Sequence, residues 1–227
     1  MKVEGFVLAG GLGKRMGVDK ARVPFPERRP MAAYVADLLR PLCTRVRLVR
    51  RGVPEVLPWP GLEVVRDEAV EGDAHPLWGV AAALAACDAD HALVLSCDRP
   101  WMQTRGLRRL CVDGGAVAVD SDGVVQPLVA CLPVALAQVA RAGAEAGNPA
   151  RSLVDGLPRI PMPNDWLADV DRWEDTGQPG PLEVLRARLP DLSEDAWQVV
   201  ARGEETRLGA LGAVNPVQSP SRDKETL

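Results

Sequence analysis

Two stretches of the chain place residues capable of chemistry at the end of an apolar run. In FVLAGGLGKRMGVDKARVPF (6–25), Gly10, Gly11, Gly13 and Gly17 are interleaved with Lys14, Arg15 and Lys20. Glycine has no Cβ, so it permits positive φ and lets backbone N–H groups approach an oxyanion closely. The neighbouring cations supply the charge that a phosphate chain needs. In HALVLSCD (91–98), an apolar run ends in Asp98. A carboxylate at the end of a buried strand is costly unless it has a partner. Mg²⁺ is a suitable one, because it binds carboxylates together with phosphate oxygens and waters. The chemistry indicated is the binding of a triphosphate with an attendant divalent cation. Each stretch also has a plainer reading: a tight strand-to-helix turn with a solvated basic rim, and an Asp capping the turn before Pro100.

Two familiar phosphate patterns do not fit. A P-loop requires G-x-x-x-x-G-K-[ST]; here Gly13-Lys14 is followed by Arg15, and the position five before Gly13 is Leu8. The dinucleotide fingerprint G-x-G-x-x-G fails because Gly17 follows Gly11-Leu12-Gly13 one residue late.

The 227 residues, 47% hydrophobic and 26% charged, suffice for one sizeable domain with an appendage. A net charge of −4 and a pI near 5.3 set aside a general nucleic-acid binder. An anionic ligand must therefore be met by a local cluster of cations. Cys43, Cys87, Cys97, Cys111 and Cys131 form no CxxC pair and have no His at ligand spacing. They read as free thiols in a reducing cytosol. No apolar stretch approaches the roughly 20 residues of a membrane span. Met-Lys leads directly into a strand, with no signal peptide, so the expected location is the cytoplasm.

The elements that must position these residues alternate between strand and helix. Strands are expected at 3–9, 45–50, 62–67 and 91–98, and helices at 30–42, 76–87 and 104–111. Further strands are expected at 115–120 and 123–132, with Pro127 demoting the second to an edge strand or to two short ones. Helices follow at 133–147 and 150–157, and 165–171 reads as a last strand. The alternation predicts an α/β fold, a mostly parallel sheet with helices on both faces, whose ligand sits at the carboxyl ends of the strands. After Gly177, GQPGP reads as a linker, 181–189 and 193–203 as two short helices within an extension over 178–214, and 215–227 as a disordered tail.

The string LAGGLGKRMGVDKA (8–21) resembles the signature of the MobA-like nucleotidyltransferases, L-A-G-G-x-x-x-R-M-G-x-x-K, at Leu8, Ala9, Gly10, Gly11, Arg15, Met16, Gly17 and Lys20. RDEAVEGDAHPLWGV (66–80), LSCDRPWM (95–102), QPLVACL (126–132) and DVDRWED (169–175) resemble the family's later motifs in order. The resemblance covers residues 3 to about 177. It implies a three-layer, Rossmann-like nucleotidyltransferase domain over 1–177, and transfer of a nucleoside monophosphate from an NTP to a phosphate-bearing acceptor with release of pyrophosphate.

By the same resemblance Leu8, Ala9, Gly10, Gly11, Leu12 and Gly13 bind the nucleotide, with backbone N–H groups of 10–13 on the β- and γ-phosphates. Arg15 neutralises the leaving pyrophosphate, Lys20 the α-phosphate, and Asp98 holds Mg²⁺. Asp67 contacts the nucleotide near its sugar and the metal, or is a solvated loop carboxylate. Asp171 is a second metal ligand, as in sugar and cytidylyl transferases, or an N-cap for the residues after it. Gly79 lets a helix start pack close to the nucleotide, and His75 stands where the family has glycine. Trp78 and Trp101 adjoin the motifs as packing residues or stacking platforms. Arg50 and Arg51 lie where guanine-specific members tend to carry Asn.

The reading preferred is GMP transfer from GTP to molybdopterin. A cytidylyl or sugar-phosphate transferase and a non-catalytic nucleotide-binding paralogue are the alternatives. A homo-oligomer or a molybdoenzyme-maturation partner is compatible with the chain.

Overall fold

The computed structural model describes residues 1–10, 19–25, 29–51, 61–67 and 75–171. The expected extension over 178–214, the tail at 215–227 and the boundary at 177 lie outside them. Within them, nine strands are β1 (Val3–Leu8), β2 (Pro24–Phe25), β3 (Arg29–Pro30), β4 (Val46–Arg50), β5 (Glu63–Arg66), β6 (His91–Ser96), β7 (Ala116–Val119), β8 (Val125–Pro133) and β9 (Arg159–Pro161). The helices are α1 (Met31–Leu39), α2 (Pro76–Ala86), α3 (Thr104–Leu110), α4 (Ala137–Glu145) and α5 (Asn164–Leu167).

Strand β1 reads VEGFVL and is buried along its whole length. A run this apolar needs cover on both faces, which a parallel sheet between two helical layers provides. Seven strands form one sheet in the order β5-β4-β1-β6-β8-β7-β9. Strand β1 pairs in parallel with β4 and with β6, and β4 with β5. Only β8 runs against its neighbours β6 and β7 in this sheet. The period of two sorts the side chains by face. Val7, Leu93 and Leu95 pack with Met31, Val35 and Leu39 of α1 and with Leu107 and Leu110 of α3. Phe6, Leu8 and Val94 pack with Leu77, Trp78 and Leu84 of α2 and with Ala140 of α4. The α/β sheet with helices on both faces is thus as expected.

Helix α1 carries the chain from β1 to β4, and α2 carries it from β5 to β6 on the opposite face and side. The chain therefore reverses its winding between β1 and β6. A crevice opens at such a switch point beyond the carboxyl ends of the strands.

Two sequence expectations are corrected. Pro127 demotes nothing: β8 is a single strand inside the sheet, between β6 and β7. The register slips between Val117, opposite Ala130, and Ala118, opposite Gln126. Pro127 falls within that slip, and the pairing with β6 begins only at Val129, so its missing N–H breaks no rung. Residues 165–171 are not a strand: α5 covers Asn164–Leu167 behind Pro163, and irregular backbone follows. The last strand is instead β9, parallel to β7 and too short to show a period.

At the amino end of the sheet an ion pair is buried in the core beneath a more exposed charged rim. The Arg47 guanidinium donates to Glu4 Oε2 at 2.5 Å and to the Ala86 carbonyl, and lies 4.8 Å from the centre of the Phe6 ring. The Asp88 N–H donates to the same Glu4 oxygen at 3.3 Å, and Arg45 closes the outer side on Glu4 at 3.3 Å and on Asp88. All five cysteines are free thiols. Among the described residues no helix is long and apolar enough to cross a membrane.

Candidate active site

Beyond the carboxyl ends of β1 and β6, residues from five separate stretches of the sequence come together. Leu8 and Ala9, the first of the expected nucleotide-binding residues, are buried at the end of β1. Gly10 follows, and a Cβ built on it would lie 3.4 Å from Asp67 Oδ2. Asp67 thus stands against the first glycine, with its own N–H donating to the Arg50 carbonyl at 2.8 Å. It is 8% exposed, which overturns the solvated-loop reading of this carboxylate. Gly11, Leu12, Gly13 and Arg15 lie outside the described residues.

Lys20 begins a short 3₁₀ turn, Lys20–Arg22, whose N-cap Asp19 accepts the Ala21 N–H at 3.1 Å. Ala21 and Val23 are buried beneath it and anchor the turn. From there the Lys20 ammonium reaches over the end of β6. It lies 2.5 Å from Asp171 Oδ1 and 3.7 Å from Asp98 Oδ2.

Asp98 is placed by the strand that precedes it. The Cys97 N–H donates to the Leu8 carbonyl at 3.0 Å, extending the β1–β6 ladder by one rung. The Ser96 hydroxyl donates to Asp98 Oδ1 at 2.5 Å, leaving Oδ2 toward Lys20. Asp171 comes from the other end of the domain. The Val170 N–H donates to the Asp98 carbonyl at 2.9 Å, which docks 169–171 on the tip of β6. Lys20, Asp98 and Asp171, separated by up to 151 positions, thus meet at one point. Burial, with the Asp98 charge second, pushes the Cys97 thiol well above its ordinary range, so it is a core group and no nucleophile.

The donor set can be weighed against a divalent cation. Two carboxylates already share one positive charge, the Lys20 ammonium, and both remain partly open, with side chains 24% and 32% exposed. Hard oxygen donors of this kind suit Mg²⁺, which takes one or two carboxylates and completes its shell with phosphate oxygens and waters. Among the described residues no group of three or more His, Cys, Asp or Glu is placed to hold a metal. The phosphates of a nucleotide would therefore have to complete the shell.

His75, Trp78 and Gly79 are set by the start of α2, and Trp101 by the turn after β6. His75 is the N-cap of α2, its Nδ1 accepting the Leu77 N–H at 3.3 Å ahead of Pro76. A Cβ on Gly79 would lie 3.6 Å from Leu8, an ordinary contact, so packing alone does not require glycine there. Trp78 is buried in the α2 core, and Trp101 is exposed. Arg105 stacks over Trp166, 4.6 Å from its ring centre.

Sequence reasoning missed Ser96 and Asp19, and treated Arg50 only as a departure from Asn. The Arg50 guanidinium donates to both oxygens of Asp19, at 3.1 and 2.8 Å, and to the Ala9 carbonyl at 2.8 Å. The available signal was Asp19 immediately before the first residue of a turn, where a side-chain cap belongs. Beyond Asp98, Arg99 donates to Gln126 Oε1 at 3.2 Å and lies 4.0 Å from Asp169.

Residues 5–160 match the profile of the MobA-like NTP transferase domain. A molybdenum cofactor guanylyltransferase of Cereibacter sphaeroides is 37% identical over 154 residues, 65% of this chain and 78% of the relative. One from Shewanella halifaxensis is 30% identical over 152 residues, 65% of this chain and 76% of the relative. Among solved structures, the molybdopterin-guanine dinucleotide biosynthesis protein A of Archaeoglobus fulgidus superposes with a TM-score of 0.59 at 16% identity, covering 82% of this chain and 99% of that one. The last likeness speaks for the fold, and the domain match together with the first two settles the kinship: the chain belongs to the MobA-like NTP transferase family.

Proposed function

We propose that the protein is a molybdenum cofactor guanylyltransferase: it moves GMP from GTP onto the phosphate of molybdopterin and releases pyrophosphate. The observation that carries this reading is the meeting of Lys20, Asp98 and Asp171 beyond the β1–β6 switch point, with Gly10 and Asp67 beside it. The two relatives named above supply the guanylyl and cofactor parts of the reading.

In this reaction an acceptor phosphate oxygen forms a bond to the α-phosphorus, and the bond from that phosphorus to the pyrophosphate oxygen breaks. Catalysis is then a matter of holding the chain in line and neutralising charge as it moves. The backbone N–H groups of Gly10–Gly13 hold the β- and γ-phosphates, and Arg15 meets the departing pyrophosphate. Lys20, held by two carboxylates before substrate arrives, exchanges them for the α-phosphate. Asp98 and Asp171 would then be free to hold Mg²⁺. Bound there, the ion would neutralise charge on the phosphate chain and ease departure of pyrophosphate. Asp67, beside Gly10, would meet the nucleotide from the β5 side.

Pyrophosphate release by the purified protein, with Mg²⁺ and molybdopterin and each of GTP, CTP, ATP and UTP in turn, tests this. Release with GTP alone is expected. Release with CTP instead would move the reading to a cytidylyltransferase. Thermal stabilisation by a nucleotide with no release would mark a binding paralogue.

A further inference from the structure

We infer that Arg50 is a positioning residue for the transfer, one that sets Lys20 against Asp98 by way of Asp19; this rests on the function proposed above. Arg50 is the last residue of β4, on the side of β1 away from β6. Its guanidinium takes Asp19 with two parallel hydrogen bonds, Nη1 to Oδ1 at 3.1 Å and Nη2 to Oδ2 at 2.8 Å. The same Nη1 donates to the Ala9 carbonyl at 2.8 Å. One side chain thus ties together Ala9, the residue before Gly10, and Asp19, the residue before Lys20. The pair is mostly enclosed, with Arg50 and Asp19 side chains 18% and 15% exposed.

Asp19 in turn fixes the turn that bears Lys20. Its Oδ1 caps that turn at Ala21 N, and Arg22 Nε lies 3.7 Å from its Oδ2. A free lysine side chain is flexible, and holding it in one geometry costs rotamer entropy. Here the backbone from which it springs is pinned twice, from within the turn and from β4. The fork also explains the residue type. Lysine at position 50 would keep the charge but could not match both carboxylate oxygens and a carbonyl with fixed planar donors. Arg50 acts through Asp19.

Two measurements test the inference. In the first, Lys20 reactivity toward trace acetic anhydride is followed by mass spectrometry in the full chain. The wild type should label slowly, Arg50→Lys and Asp19→Asn faster, and Arg50→Ala fastest, by about tenfold or more, as Lys20 leaves the acid pair. Unchanged labelling in all three variants would overturn the inference, whatever the enzyme does. In the second, a double-mutant cycle joins Arg50→Ala with Lys20→Ala. Arg50→Ala alone should lower kcat about 10–100-fold, but less than about threefold in the Lys20→Ala background, because the effect runs through Lys20. Losses that multiply would reduce Arg50 to a fastener of the fold and overturn the inference. Where Arg50→Ala fails to fold, Arg50→Lys takes its place in the cycle. A wild-type protein that transfers no GMP would sink the functional reading, while the labelling result would still decide the role of Arg50.

Discussion

The two ends of the central sheet both carry charge, and they handle it in opposite ways. At the amino end, Glu4 and Arg47 are only 7% and 6% exposed and are bound to each other, to the Ala86 carbonyl and to the Asp88 N–H. At the carboxyl end, Lys20 stands between two carboxylates that remain about a quarter to a third exposed. The first cluster is closed at its centre: Glu4 and Arg47 are held by protein groups against the Phe6 ring, while their outer partners Arg45 and Glu63 reach solvent. The second can be taken apart by a ligand that brings both negative and positive charge, as a nucleotide with its cation does. On the function proposed, the contrast separates a charge cluster that holds the fold from one that would meet substrate.

The largest effect expected from this contrast is on stability. Glu4→Ala leaves the Arg47 guanidinium buried without its main partner, which should cost about 3–5 kcal/mol in chemical unfolding. Transfer by the protein that stays folded should remain within about twofold of wild type. Replacing both partners, Glu4→Leu with Arg47→Met, should return most of the lost stability, because apolar packing substitutes well for a buried pair. If the double replacement is as unstable as the single one, the cluster is doing more than filling its end of the core.

Next comes the mirror experiment. Asp98→Asn keeps the shape of the side chain and the Ser96 contact but removes a charge from the acid pair. The value of kcat/KM for GMP transfer should fall about 10²–10³-fold, equivalent to about 2.7–4 kcal/mol of transition-state stabilisation. The melting temperature should move by less than about 4 °C. A collapse of stability comparable to that of Glu4→Ala would make the carboxyl end a second structural cluster and erase the distinction.

The sequence discloses the carboxyl end better than the amino end, for physical reasons. Asp98 is legible because a carboxylate after HALVLSC breaks an apolar run at the place where a parallel sheet opens to solvent. Gly10 and Lys20 stand out as glycines beside cations, a pattern that also suits a plain turn, and the family string is what separates the two readings. Asp171 could be named only by resemblance, since its approach depends on the Val170–Asp98 hydrogen bond across the fold. Glu4 and Arg47 look like ordinary alternation of charge and aliphatic residues in single strands. They become a buried pair only when β1 and β4 lie side by side, with Phe6 opposite Arg47. Pro127 misled because a strand-breaking rule applied in isolation cannot see a register slip against the partner strand. Long-range pairing is what local sequence pattern lacks, and it decides each of these cases.

The smallest effect belongs to the amino end again, and concerns protons. Cys43 is wedged under β1, where a Cβ on Gly5 would lie 3.1 Å from its Sγ. Burial, then Cys111 and then the Glu4 charge, push its thiol from the ordinary 9.0 up to about 12. Below pH 9 the folded and unfolded chains both keep this proton, and the stabilisation is fully present. Between pH 9 and 12 the unfolded chain releases it while the folded chain does not, so stability falls as pH rises. For one such group the slope is at most about 1.4 kcal/mol per pH unit. Urea unfolding at pH 8, 9 and 10 should therefore show a decline above pH 9 that is shallower in Cys43→Ala. Identical slopes in the two proteins would mean that the half-buried Cys43 titrates in the folded chain as it does in the unfolded one. The amino end would then be less tightly closed than its Glu4–Arg47 pair indicates.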